Sequence, residues 1–407
     1  MTAAVYAVGT MDTKGEELAY VKRCLQAAGA NVKMVDVGTQ APPTVQPDIS
    51  RETVTGDAQF VSASGDRGQA VTAMSQSLTR FLTAECAAGR VSGVIGIGGT
   101  GGTSLVTTAM RALPIGLPKL MVSTVASGNT APYVDCSDIT MTYSVVDVAG
   151  LNVVSNKILA NAANAMAGMV AHEQPASEAR PTIGMTMFGV TTPCVTDVRR
   201  RLEKNGFDCL VFHATGTGGR AMERLVDSGM IQGVLDISTT EVADEVVGGV
   251  FAAGPHRFEA ILKKQIPYVV SLGALDMVNF GSQETVPAEF RDRLLHVHNA
   301  QVTLMRTTPE ENREIARWMA EKFNRSTAPL TIVFPEGGLS MLDAPGQPFH
   351  NPEANAALFE ELEKQLHPAE TRRIVRLPHH INDPAFSAKL VELYDSLNAA
   401  AQPDCVS

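Results

Sequence analysis

Residues 93–110 read GVIGIGGTGGTSLVTTAM. An apolar run of Val, Ile and Gly meets Gly98, Gly99, Gly101 and Gly102, interleaved with Thr100, Thr103 and Ser104, and passes into a helix-like stretch. Strand, glycine turn and helix in that order open a βαβ unit, and such units build parallel sheets. The same alternation recurs along the chain. Residues 3–9 read as a strand, and 15–29 as a helix with Leu18, Val21, Leu25 and Ala28 at helical spacing, closed by Gly29. Further strands are expected at 31–37, 117–124 and 141–148, and further helices at 67–89 and 150–171.

The polar stretch AHEQPASEARP at 171–181, with two prolines, reads as a linker. After it the layout begins again. TIGMTMFGVTTPCVTDVRRRLEKNGFDCLVFHATGTGG follows the order strand, polar loop, helix ending near glycine, strand, as the N-terminus does. GMIQGVLDIST parallels GRVSGVIGIGG, and IPYVVSLGALD parallels LPKLMVSTVASG. The expected fold is α/β, with two Rossmann-like open parallel-sheet domains, 1–175 and 181–407, and a cleft between them. A C-terminal helix at 384–400 is expected to pack on the body, with Asp383 as its cap.

Length and composition limit the functions open to the chain. With 407 residues, 44% of them hydrophobic, it can build two or three cores. A net charge of −10 argues against nucleic acid as a partner. The six cysteines form no CxxC pair and read as a reduced set. The N-terminus lacks a basic, then long apolar, leader, and no segment is apolar enough to span a membrane. A soluble cytoplasmic protein is the expectation.

In open parallel sheets ligands gather beyond the carboxyl ends of the strands. In the first domain that rule selects GTMDTKG (9–15), DVGT (36–39), GIGGTGGTS (96–104) and STVASGNT (123–130). Glycines let backbone N–H groups approach an anion, and a helix N-terminus adds positive potential. Gly98 to Gly102 with Thr100, Thr103 and Ser104 therefore suit a phosphate or a magnesium ion. The spacing is neither GxxxxGK[ST] nor a clean GxGxxG, and a tight strand–helix turn remains the alternative. Lys14 can neutralise phosphate charge and Asp12 can hold magnesium through water. Asp12 or Thr13 can equally cap the helix that follows. Ser127, Gly128 and Asn129 suit a phosphate or ribose contact, or a plain polar turn.

Together GTMDTKGEE, DVG, GIGGTGGT, STVASGNT and NVVSNKILANAANAMAGM resemble the ATP-binding module of the plant tobamovirus-resistance proteins that inhibit viral helicase, and resemble its bacterial homologues still more. The resemblance covers nearly the whole chain. It implies two Rossmann-like subdomains, ATP with magnesium in the first, and a homodimer. The plant module precedes a barrel-like domain, and the resemblance does not reach that part. The plant antiviral role is not carried over.

The second domain offers another glycine-rich turn, HATGTGG at 213–219, and acid–base candidates on separate loops: His256, Asp276, His298 and Glu336. A strand at 296–298 would put His296 and His298 on one face, as a metal pair requires, although two histidines in polar surroundings is the plainer reading. Glu336 can be an acid at a strand end or a turn carboxylate. Three readings follow. One is an ATP–Mg-dependent enzyme acting on a small carboxylate-type substrate in the cleft. Another is an ATP-dependent sensing or assembly module. The third is an ATP-independent enzyme for phosphorylated or acyl substrates.

Overall fold

A computed structural model of the chain describes residues 3–57, 67–172 and 180–401. The chain divides into two units, Met1–Ser177 and Glu178–Ser407. Of the linker read at 171–181, residues 173–179 lie outside the described residues.

Unit 1 runs β1 (Ala4–Gly9), α1 (Met11–Ala27), β2 (Val32–Asp36), α2 (Arg51–Thr55), α3 (Arg67–Ala87), β3 (Val91–Gly98), α4 (Thr100–Arg111), β4 (Lys119–Ser123), α5 (Ala131–Val134), β5 (Thr140–Tyr143) and α6 (Val153–Ala171). Its five strands pair in parallel in the order β2-β1-β3-β4-β5. A parallel sheet is covered on both faces, so its central strands read as unbroken apolar runs. Every residue of β1 is buried, and β3 is buried save Ser92. Met74, Leu78 and Leu82 of α3 join Leu105, Val106 and Ala109 of α4 on one face. Leu18, Val21 and Leu25 of α1 join Leu159, Ala163 and Met166 of α6 on the other.

Three local expectations shift. The first helix starts at Met11 rather than 15. Neither Asp12 nor Thr13 is its cap: Thr10 holds that position without a side-chain cap bond, and Asp36 Oδ1 accepts from Met11 N–H at 3.1 Å. The strand expected at 141–148 ends at Tyr143, because Val145 turns to φ 64°. The helix expected from 150 begins at Val153, where Asn152 and Ser155 form a capping box.

Unit 2 runs β6 (Thr182–Met187), α7 (Thr192–Lys204), β7 (Asp208–His213), α8 (Thr217–Asp227), β8 (Gly233–Ser238), α9 (Thr240–Val247), α10 (Glu259–Lys264), β9 (Tyr268–Gly273), β10 (Met277–Phe280), β11 (Leu295–Asn299), β12 (Val302–Arg306), α11 (Pro309–Phe323), β13 (Leu330–Pro335), α12 (Pro352–Gln365), β14 (Arg372–Leu377) and α13 (Pro384–Ala401). Six strands form a parallel sheet in the order β7-β6-β8-β9-β13-β14, and β10-β12-β11 form a small antiparallel sheet. Numbered within each unit, both large sheets start 2-1-3-4-5, the order of doubly wound folds with a switch point between their first and third strands. Two Rossmann-like α/β units are thus present. The helix expected at 384–400 is α13, and Asp383 Oδ1 accepts from Ala385 N–H at 2.8 Å near its start. Phe386, Leu390 and Tyr394 of α13 pack with Val195, Val198 and Leu202 of α7.

Candidate functional site

Beyond the carboxyl ends of the unit 1 strands lies a cavity of about 410 Å³. It is lined by Asp12 and Lys14 after β1, by Thr39 and Gln40 after β2, and by the turn Gly99 to Gly102 after β3. Strands β1 and β3 are neighbours whose connections leave in opposite directions along the sheet, which opens a crevice at this point.

The glycine turn is bare backbone. Helix α4 begins at Thr100 with Gly99 at its N-cap and no side-chain cap bond. The first N–H groups of a helix have no partner within it and carry its positive end. A Cβ built at Gly101 would meet nothing within 4 Å, and at Gly102 or Gly99 nothing nearer than 3.8 Å. Gly99 stands at the N-cap, where glycine is itself favoured over alanine; at Gly101 and Gly102, inside the helix, alanine would serve better by about 0.5–1 kcal/mol. Among the described residues nothing therefore requires glycine at positions 101 and 102. Gly98 differs, since a Cβ there would lie 3.0 Å from Gly102 Cα.

Thr103 and Ser104 do not join the lining. Thr103 is fully buried, and its hydroxyl lies 2.6 Å from that of Ser123, tying the turn to β4. Ser104 is exposed. Ser127, Gly128 and Asn129 are exposed and outside the lining; Asn129 Oδ1 accepts from Ala131 N–H at 3.1 Å and shapes the turn into α5.

Asp12 sits between two loops. Its Oδ2 accepts from Gln40 N–H at 3.0 Å, while its buried Oδ1 has no hydrogen-bond partner. Thr13 is exposed and its hydroxyl lies 3.2 Å from that of Thr10. Lys14 has φ −128° and ψ 18°, a break inside α1, and its ammonium donates to the Val148 carbonyl. Asp36, which opens the DVGT loop expected to face a ligand, instead organises this end of the sheet. Its carboxylate is 1% exposed and accepts from Met11 N–H, from Gly38 N–H at 2.8 Å and from Arg51 Nε at 2.7 Å. An acid closing an apolar second strand was the available signal, because dinucleotide-binding folds use that place to hold a ribose. Here the carboxylate is turned inward and occupied.

The unit 2 candidates stand in separate surroundings. His256 is exposed, with Nδ1 2.9 Å from Glu259 Oε2. His298 is exposed on β11, where the register with β12 shifts between Val297 and Asn299, while His296 packs edge-on against Phe349. Among the described residues no three His, Cys, Asp or Glu side chains group as a metal site. Glu336 is exposed just after β13 and pairs with Arg376 at 2.8 Å. Asp276 is fully buried; its Oδ2 accepts from Ser340 Oγ at 2.7 Å and its Oδ1 has no partner. Burial, and then the nearby Asp343, push its carboxyl well above the usual range.

The second glycine turn is already filled. Glu241 Oε1 accepts from Gly216 N–H at 2.7 Å and Gly219 N–H at 3.0 Å, and Arg257 Nε donates to Oε2 at 2.9 Å. Arg257, itself buried, also meets Asp236 at 2.8 Å and Glu223 at 3.3 Å. Three acids around one guanidinium leave an excess of negative charge. Burial raises the carboxyls of Glu223 and Glu241.

Residues 3–175 match the Uncharacterised protein family (UPF0261) N-terminal domain, and residues 180–398 match the C-terminal domain of the same family. The chain belongs to the UPF0261 family. A UPF0261 protein of Rhizobium meliloti is 55% identical over 96% of this chain and 98% of its own length. One from Mesorhizobium japonicum is 51% identical over the same shares. The ToMV resistance protein Tm-1(GCR237) of Solanum lycopersicum is 46% identical over 96% of this chain but only 55% of its own length. The resemblance to plant resistance proteins and their bacterial homologues therefore holds at the level of family. No helix among the described residues is long and apolar enough to cross a membrane.

Proposed function

We propose that unit 1 binds ATP with magnesium, the phosphates lying against the turn Gly99 to Gly102. The observation that carries this is the three glycines whose absent side chains leave room that no described residue fills, at a helix start without a side-chain cap, beside a cavity. An anion drawn close to the backbone is what such bareness serves. The site supports phosphate; adenine comes from the family resemblance. The residues present also fit a divalent ion. Asp12 Oδ1 is a buried carboxylate oxygen without a partner, and magnesium commonly takes one or two carboxylates, phosphate oxygens and water. Bound there, the ion would supply charge neutralisation on the phosphates.

Calorimetric titration of the full chain with ATP, with and without magnesium, tests the reading, with Gly101→Ala in parallel. The variant has room for its methyl within the protein and should fold, yet lose affinity by about tenfold or more as the methyl holds the phosphate off. No binding by the unaltered chain, or equal binding by the variant, would sink the proposal.

A sensing or assembly role without chemistry is favoured over catalysis by one observation. His256, His298 and Glu336 are exposed on separate elements, two of them in surface pairs, and Asp276 is enclosed. A small carboxylate-type substrate belongs to the catalytic reading, and a homodimer is the expectation of the family resemblance.

A further inference from the structure

Lys14 is the one cationic residue lining the cavity among the described residues, and its ammonium is directed to a neutral acceptor, the Val148 carbonyl. That carbonyl belongs to the segment between β5 and α6. Three positions further along α1, Glu17, 3% exposed, accepts from Gly150 N–H at 2.6 Å. The start of α1 thus holds this segment by two bonds, one from a cation and one to an anion. The segment is itself under tension: Val145 is β-branched yet sits at φ 64°. It also exposes Val145 by 54% and Leu151 by 38%, and Val153 at the start of α6 by 72%.

We propose that Lys14 has two seats, the Val148 carbonyl when the cavity lacks an anion and the anion's oxygens when it holds one, so that anion binding loosens the segment 144–150. This rests on the anion reading of unit 1. An ammonium bonds an anionic oxygen more strongly than a neutral carbonyl, which sets the direction of the exchange. The kink at Lys14 frees its side chain from the helical surface, and its flexible stem allows both seats. The Glu17–Gly150 bond and the bond from Ser144 N–H to the Ser123 carbonyl stay, and the Val148 side chain remains in the core, so the segment loosens between two held ends. The site then reports its occupancy through the order of an apolar segment.

The test is hydrogen exchange of amides 144–150 in the full chain, with ATP–magnesium or inorganic phosphate, alongside calorimetry under the same conditions. Ligand should speed exchange there by about tenfold, the effect of losing one bond to a charged group. Lys14→Met should show the faster rate with ligand and without it. Measured binding with unchanged or slower exchange overturns the two-seat inference alone. So does a Lys14→Met chain that exchanges as the unaltered ligand-free chain does. Absence of binding in calorimetry overturns the anion reading, and this inference with it.

Discussion

Two glycine turns in this chain stand at the carboxyl ends of parallel strands, one at 98–102 after β3 and one at 213–219 after β7. In the first, Gly99, Gly101 and Gly102 have free space where a side chain would be. In the second, every glycine is forced by a protein atom. Gly216 has φ 81°, a Cβ at Gly218 would fall 1.8 Å from the His213 carbonyl oxygen, and one at Gly219 would fall 2.1 Å from Glu241 Oε2. The chain fills the second turn with its own carboxylate and leaves the first facing a cavity. The glycines thus differ in cause: the chain's own atoms approach closely at 216, 218 and 219, and none among the described residues does so at 101 and 102.

Removing the internal carboxylate should have the largest effect. Glu241→Ala strands two buried N–H groups and part of the Arg257 guanidinium, and should cost about 3 kcal/mol or more in urea unfolding. A loss below about 1 kcal/mol would mean the second turn does not depend on its carboxylate. Next comes the glycine pair. Gly218→Ala forces backbone to move and should cost at least about 1–3 kcal/mol, whereas Gly101→Ala should leave stability equal or raise it by up to about 1 kcal/mol. Equal destabilisation of both would erase the distinction.

The pH response sharpens it further. Asp244 in unit 2 is raised by burial to about 7 from an ordinary 3.8. The native state binds that proton more tightly, so the stability it contributes is present below the unfolded value and is lost as pH rises toward 7. In unit 1, Glu85 is held down to about 2 by Arg90, so its contribution is present above 4.5 and lost as pH falls. Urea midpoints between pH 4 and pH 8 should therefore show a downward slope with rising pH that Asp244→Asn flattens; an unchanged slope in the variant would remove Asp244 as its source.

Much of the fold was legible because parallel strands buried on both faces are written as unbroken apolar runs. The glycine turn, Asp12 and Lys14 were legible because the sheet brings the carboxyl-end loops together whatever their sequence. Other features needed the third dimension. Thr103 looks like a ligand in a row of hydroxyls, yet its place on α4 turns it into β4. Asp36 finds Arg51 across a loop, and Glu241 finds Gly216 across two elements, and neither pairing has a local pattern. His256 and Glu336 carry acid–base side chains on loops, a pattern that surface ion pairs share, and His298 lies exposed where the β11 register shifts.

The packing of α13 has a consequence for the making of the molecule. All five strands of unit 1 have been synthesised by Tyr143, and its last covering helix ends at Ala171. Unit 2 begins its sheet at Thr182 but receives Phe386, Leu390 and Tyr394 only with its final helix. On the ribosome the first unit can close while the second still shows water an uncovered apolar face, since domains generally fold as units in the order they emerge. The interval between β6 and α13 is the period in which the nascent chain most needs shielding from its neighbours.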